Sequence, residues 1–203
     1  MASVVGIFRD ETKAWIRETT GYMAHIREFS AWDWVCYVAW IGTISSLFFG
    51  VTAFTLAGKW SGVVWPGYVY TICFGTGLFT VALAVDTIGH RTVYKAELLK
   101  GEAYVHHMII VTAVTSVMAL CLGYNYSETM RMPAMALIGL SLFYSAIDEA
   151  LHWRRYLSQS LDRVEMWSHF LAIAGHVLMI LSWWQWYSNG YPGVAQTLIA
   201  LGM

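Results

Sequence analysis

Four times in this chain a carboxylate is followed four residues later by a histidine: Asp86/His90, Glu102/His106, Asp148/His152 and Glu165/His169. Four residues is about one helical turn, so each pair puts an acid and an imidazole on one helix face. If the 13 acids were scattered evenly over 203 positions, the 7 histidines would collect only about half of one such partner between them. Imidazole and carboxylate together, without thiolate, suit iron, manganese or zinc. All four pairs lie at the ends of very apolar segments, where an ionisable group points to function by default.

Those apolar segments dominate the chain. Hydrophobic residues make up 58% and charged residues 12%, the balance of a membrane protein rather than a soluble domain. Five stretches reach spanning length: about Trp34–Ala57, Trp65–Thr87, Tyr104–Leu122, Pro133–Ile147 continuing to about His152, and Trp167–Trp186. The expected fold is therefore an all-α membrane protein. It has about five transmembrane helices over residues 31–203, preceded by an N-terminal amphipathic interfacial helix over residues 1–30. In that first segment Phe8, Trp15, Tyr22, Ile26 and Phe29 recur at helical spacing among charges, as expected of a helix lying along a membrane surface. Arg9, Asp10, Glu11, Lys13, Arg17, Glu18, Arg27 and Glu28 leave no uncharged h-region there, so no cleavable signal peptide is expected. The net charge of −1 suggests no nucleic-acid partner. Cys36, Cys73 and Cys121 all fall inside spans at no zinc or redox spacing and read as small buried apolar side chains.

Positive charge sets the expected orientation. Ten of the twelve Lys and Arg residues lie in the N-terminal segment, the link between spans two and three, and the link between spans four and five. Only Lys59 and Arg131 fall on the other side. The N-terminus is expected in the cytoplasm and the C-terminus outside. All four acid/histidine pairs then lie at one depth, at the cytoplasmic ends of spans two to five. Trp60, Trp65, Trp153, Trp183, Trp184 and Trp186 sit where interfacial aromatic belts belong.

The pairs also belong to a repeat. Ala84-Val85-Asp86 matches Ala146-Ile147-Asp148, His90 matches His152, and Tyr94 matches Tyr156. After a one-residue insertion, Glu102 and His106 match Glu165 and His169. Spans 2–3 and 4–5, about residues 66–122 and 132–187, thus read as a parallel internal repeat about an axis along the membrane normal. Such an axis turns four acids and four histidines toward the centre of a four-helix metal-binding bundle.

Eight ligands exceed what one metal uses and suit two. The expected metal ligands are Asp86, His90, Glu102, His106, Asp148, His152, Glu165 and His169. In donor type and symmetry this resembles the ferritin-like di-iron carboxylate bundles, where facing helices supply Glu and Glu-x-x-His. The spacing here is x3 and there are four histidines rather than two, so the likeness stops at donor type and symmetry. The clustered HxxHH boxes of membrane desaturases and hydroxylases are absent; His106-His107 is the one adjacent pair.

Around this set stand possible supporting residues. Glu149 could replace Asp148 or hydrogen-bond a ligating histidine, while Glu97 reads as solvated. His107 reads as either a substrate contact or a packed polar group. His176, two turns beyond His169 on the same face, could line a substrate or proton path or bind a haem, against a plain role as a histidine hydrogen-bonded within the bundle. Tyr94 and Tyr156 could hydrogen-bond ligands or act as redox-active phenols, against a plain anchoring role. His25 reads as interfacial.

The leading function is a dinuclear, di-iron, O2-dependent oxidoreductase acting on a lipid-soluble substrate or quinol at the cytoplasmic membrane edge. Two metal ions are implied, with zinc or manganese as other occupants. No flavin, Fe–S or nucleotide motif is visible, so electrons would come from a partner protein, a larger membrane complex or a quinol. A haem-binding cytochrome b-like subunit, with His106, His169 or His176 as haem ligands, is the first alternative; the four acid partners argue against it. A non-enzymatic metal-binding accessory subunit or a metal transporter is the second. Transporter sites favour the midplane and broken helices, whereas these pairs lie near one surface and spans two to five hold no internal Pro.

Overall fold

The computed structural model describes residues 4–95, 102–159 and 163–203, with side chains at 11–95, 102–157 and 163–203. The described residues form seven α-helices and no strand. They are α1 (Val4–Ala24), α2 (Ala31–Trp60), α3 (Gly67–Arg91), α4 (Ala103–Leu122), α5 (Ser127–Gln159), α6 (Arg163–Ser188) and α7 (Val194–Ala200). Helices α2 to α6 are each long and apolar enough to cross a membrane, so the chain has the build of a multi-pass membrane protein. A 3-10 turn, His25–Glu28, separates α1 from α2. Ser30 then caps α2: its hydroxyl accepts from the Asp33 backbone N–H while the Asp33 carboxylate accepts from the Ser30 N–H, a reciprocal capping box.

Two boundaries differ from expectation. Helix α5 starts six residues before the expected span, so Pro133 lies inside it and leaves the Thr129 carbonyl without its intrahelical donor. The short α7 had no hydrophobic period long enough to announce it. Gly193, with φ +91, turns the chain into α7, and a Cβ there would sit 2.6 Å from the Trp65 ring. Trp65, Trp183 and Trp186 consequently pack in the core at the α7 end rather than in a lipid-facing belt, with Trp65 Nε1 donating to the Thr55 carbonyl at 2.8 Å. Trp60 and Trp153 stay exposed.

The four helices that carry the acid/histidine pairs pack as α3 on α6 and α4 on α5, while α2 lies against α3. Sequence neighbours α3 and α4 make at most marginal contact. The α3–α6 crossing is close because Gly75 and Gly175 face each other. A Cβ on Gly75 would lie 2.6 Å from the Met179 backbone nitrogen, and one on Gly175 2.5 Å from that of Phe79. Gly77 admits the Phe48 ring of α2, and Gly139 faces open space, so of these four glycines two serve the α3–α6 contact, a third serves α2, and the fourth serves neither.

Helix α1 closes one end of the bundle. Tyr22 is buried with Val85, Tyr94 and Val164, over Gly89, where any Cβ would collide with its phenol. Trp15 packs on Trp167 with ring centroids 5.6 Å apart, and Arg163 donates to Glu18 at 2.6 Å. The amphipathic segment thus lies across α3 and α6, and its inward face is more than a membrane-contacting stripe.

Candidate metal centre

Helices α3 and α5 end, and α4 and α6 begin, at the end of the bundle that α1 covers. Asp86 and His90 lie in the last two turns of α3. Glu102 directly precedes α4, with His106 in its second turn. Asp148, Glu149, His152 and Arg155 project from the last third of α5, and Glu165 and His169 from the first two turns of α6. Seven of the eight predicted ligands are buried, and His106 is half-buried.

Contacts between helices outnumber those within them. Asp86 and His90 meet on their own helix at 3.4 Å, and Asp148 Oδ1 lies 3.6 Å from His152 Nδ1. The other contacts cross the bundle: His106 Nε2 to Asp148 Oδ1 at 3.1 Å, His169 Nε2 to Asp148 Oδ2 at 2.9 Å, and His152 Nε2 to Glu102 at 3.6 Å and Glu165 at 3.7 Å. The His152 and His169 rings stack at 3.7 Å, and the His90 and His106 rings lie 4.8 Å apart. Helix-local salt bridges would not bring four helices to one point. Asp148, reaching His106 and His169 across the bundle, is the hub.

Two sets of donors are close enough to share an ion: His90, His106 and His152, and Glu102, His106, Asp148 and His152. Within each set the donor atoms lie within 4.8 Å of one another. His106 and His152 belong to both. His152 Nδ1 sits 2.9 Å from the Asp148 backbone carbonyl. A carbonyl only accepts, so Nδ1 carries the hydrogen and Nε2 keeps its lone pair toward the centre.

Several buried polar atoms at this point make no hydrogen bond among the described residues: Asp86 Oδ1, both His90 nitrogens, Asp148 Oδ1, His152 Nε2 and Glu165 Oε2. Each such group costs about 1–3 kcal/mol, and charged ones more. A cation at their centre would satisfy carboxylate oxygens and imidazole lone pairs at once, so the donor set fits a metal.

One participant was not foreseen. Arg155, counted from the sequence only as a topology-setting charge, turns inward and is buried. Its Nη1 donates to both Glu102 oxygens at 2.9 and 2.7 Å, and its Nη2 donates to Glu165. Its guanidinium lies 5.3 Å from the centre of the Tyr94 ring. Two of the four acids therefore already face an internal cation. The available signal was spacing: Arg155 follows Asp148 by seven residues, two turns along the same face. Its counterpart in the first half is Val93, two residues past the end of α3.

The supporting residues divide. Glu149 accepts from His169 Nδ1 at 2.7 Å and, through its other oxygen, from the exposed Trp153 indole at 2.7 Å. It steers a histidine and leaves the central position to Asp148. Tyr94 is buried beside Arg155 and His90. Its repeat counterpart Tyr156 packs edge-on against Trp153 at 6.0 Å, outside the cluster. His107 is exposed, its Nδ1 turned to the Ala103 carbonyl. His25 pairs with Glu28 at 2.7 Å, away from the centre. Glu97 lies outside the described residues.

A cavity of about 610 Å³ reaches the centre from within the bundle, between α2, α3, α4 and α6. Asp86, His90, His106, Asp148 and His169 line its polar end, and His176 stands farther along it. No protein-family model, curated protein or solved structure matches this chain.

Proposed function

We propose that the chain is a membrane oxidoreductase with a dinuclear metal centre, iron being the leading occupant, that uses O2 to oxidise a lipid-soluble substrate or a quinol. The observation that carries this reading is the convergence of carboxylates and imidazoles from four helices at the end of a largely apolar cavity, several of them, on α3, α5 and α6, with buried atoms that make no hydrogen bond among the described residues. Asp86, His90, Glu102, His106, Asp148, His152, Glu165 and His169 would hold the metals. The mixed oxygen and nitrogen donors, with no cysteine among them, favour iron over structural zinc. Iron, when bound, supplies redox equivalents and a coordination position for oxygen.

The chain's own residues supply orientation and exclusion of water. The Asp148 carbonyl fixes the His152 ring, and Glu149 fixes that of His169, the hydrogen-bonded support that ligating histidines commonly have. The α1 helix packs on α3 and α6 over that end of the bundle, where it would limit the access of water. The pairing of α3 with α6 and α4 with α5 is the one a two-fold axis relating residues 66–122 to 132–187 would generate, which supports the repeat. The clustering of Lys and Arg supports a cytoplasmic N-terminus and an external C-terminus. Electrons would come from a donor protein or a quinol.

Metal analysis with Mössbauer spectroscopy on protein from iron-supplemented cells tests the centre, with about two irons per chain expected. Fewer than one metal per chain, unchanged in His90→Ala and His152→Ala, overturns it, and a Soret band would replace it with haem. Reductant-dependent oxygen consumption in the presence of a quinol or membrane lipid tests the activity. A loaded protein that consumes none would have a structural centre.

A further inference from the structure

We infer that the cavity between α2, α3, α4 and α6 is the binding site of a lipid-soluble molecule bearing a hydroxyl or carbonyl oxygen, and that His176 receives that oxygen. The inference deepens the function proposed above by naming the substrate class, and its binding step does not depend on the metal.

His176 is 2% exposed, and its Nε2 makes no hydrogen bond among the described residues. It lines the cavity with its ring stacked on Phe79 at 5.5 Å, and Phe79 offers no polar group to the imidazole edge. A buried imidazole nitrogen without a partner is costly, and here it faces an otherwise apolar space. A ligand oxygen at that point would satisfy it.

Size and position define the ligand further. The volume of about 610 Å³ lies within the range of small-molecule sites. His176 lies seven residues beyond His169 on α6, about 10.5 Å along the helix axis. A molecule whose oxygen meets His176 and whose reacting end meets the centre must cover roughly that length. The cavity is also open sideways. Neither α2 nor α3 packs extensively on α4, and the α4 residues on its rim, Val114 and Met118, are 39% and 57% exposed. Val114 lies more than two turns from either end of this spanning helix, and Met118 about one turn from its C-terminal end, so the opening at Val114 faces lipid. The repeat counterpart of His176 is Ala113, also on the cavity wall. One wall therefore carries the polar contact and the other leaves room for the ligand.

The shared chemistry, an oxygen on a lipophilic body, can come from a quinone or from a lipid alcohol. The test uses a photoactivatable azidoquinone and a diazirine-bearing C18 alcohol, each titrated into full-length protein in nanodiscs, with labelled residues mapped by mass spectrometry. Each preparation is assayed as purified and after chelation, with metal content measured alongside. At least one probe is expected to label the cavity wall saturably. His176→Leu should weaken that probe's binding about tenfold or more, and His176→Gln, which keeps a hydrogen-bonding group, should restore it to within about threefold. The probe that shows this dependence identifies the source of the oxygen. Ala113→Phe, on the partly exposed α4 wall, fills the cavity without touching His176 and should abolish labelling, which covers the case of a His176 variant that does not fold. Equal labelling of wild type, His176→Leu and Ala113→Phe by both probes overturns the inference, as does saturable labelling confined to other surfaces. His176-dependent binding in a protein that never holds metal keeps the inference and removes the metal reading. Metal without His176 dependence does the reverse.

Discussion

The two ends of the buried cluster are built from the same kinds of side chain and treated differently. At one end Glu102 and Glu165 are held by Arg155, deep under the Tyr94 ring. At the other, Asp86, His90, His106, Asp148 and His169 face a cavity, and several of their polar atoms make no hydrogen bond among the described residues. The first end has its counter-charge built in; the second is left with coordinating capacity. Arg155 thus balances part of the donor set, Glu102 included, while the rest faces the cavity with its coordinating capacity unspent.

The largest effect should come from breaking the closed end. Arg155→Met leaves two buried carboxylates facing each other and should destabilise the protein by about 3–5 kcal/mol, read as a fall in thermal unfolding temperature in detergent. Arg155→Lys should recover part of this loss, since it restores charge without the two-pronged geometry. If Arg155→Met unfolds like wild type, the division between the ends is not real. The open end should respond in the opposite way. His106→Ala removes a donor shared by both possible ion sets and should lower metal affinity by about a hundredfold or more, beyond the usual loss for an outer partner, with the helical circular dichroism retained. Glu149→Gln comes next: weakening the contact that orients His169 should cost about 10–100-fold in metal affinity, measured by chelator competition. Trp153→Phe is the smallest. It removes one half-exposed hydrogen bond to Glu149 and should change that affinity by about threefold or less. A larger change would mean that the exposed indole, and not the buried histidine, sets the carboxylate's position.

The cluster was more legible in the sequence than its internal arrangement. Acid and histidine one turn apart report a shared helix face whatever the tertiary structure, and burial at the end of an apolar run reports cost, so the eight residues stood out. Which of them touch could not be read from the spacing, because the two helix pairings are set elsewhere. Gly75 and Gly175 bring α3 and α6 together, while the corresponding positions in the other half, Leu137 and Thr112, have larger side chains at the α4–α5 crossing. Arg155 was hidden by its type. Near a helix end an arginine normally marks the aqueous side, and only the last turns of α5, continuing past the matching end of α3, carry it back over Glu102 and Glu165. Trp65, Trp183 and Trp186 misled for a related reason. Tryptophan near the end of a span fits both a lipid interface and a core, and α7, too short to show a period, provides the surface that makes it a core.

Arg155 also bears on the order of assembly. A centre whose acids could be balanced only by metal would have to meet its ions while the helices were still packing, or keep those carboxylates away from one another until it did. With an arginine bound to two of them by the chain's own fold, the bundle can close first and be loaded afterwards. Any ions the centre takes would then be a late addition to a finished scaffold, and the supply of metal need not keep pace with synthesis of the protein.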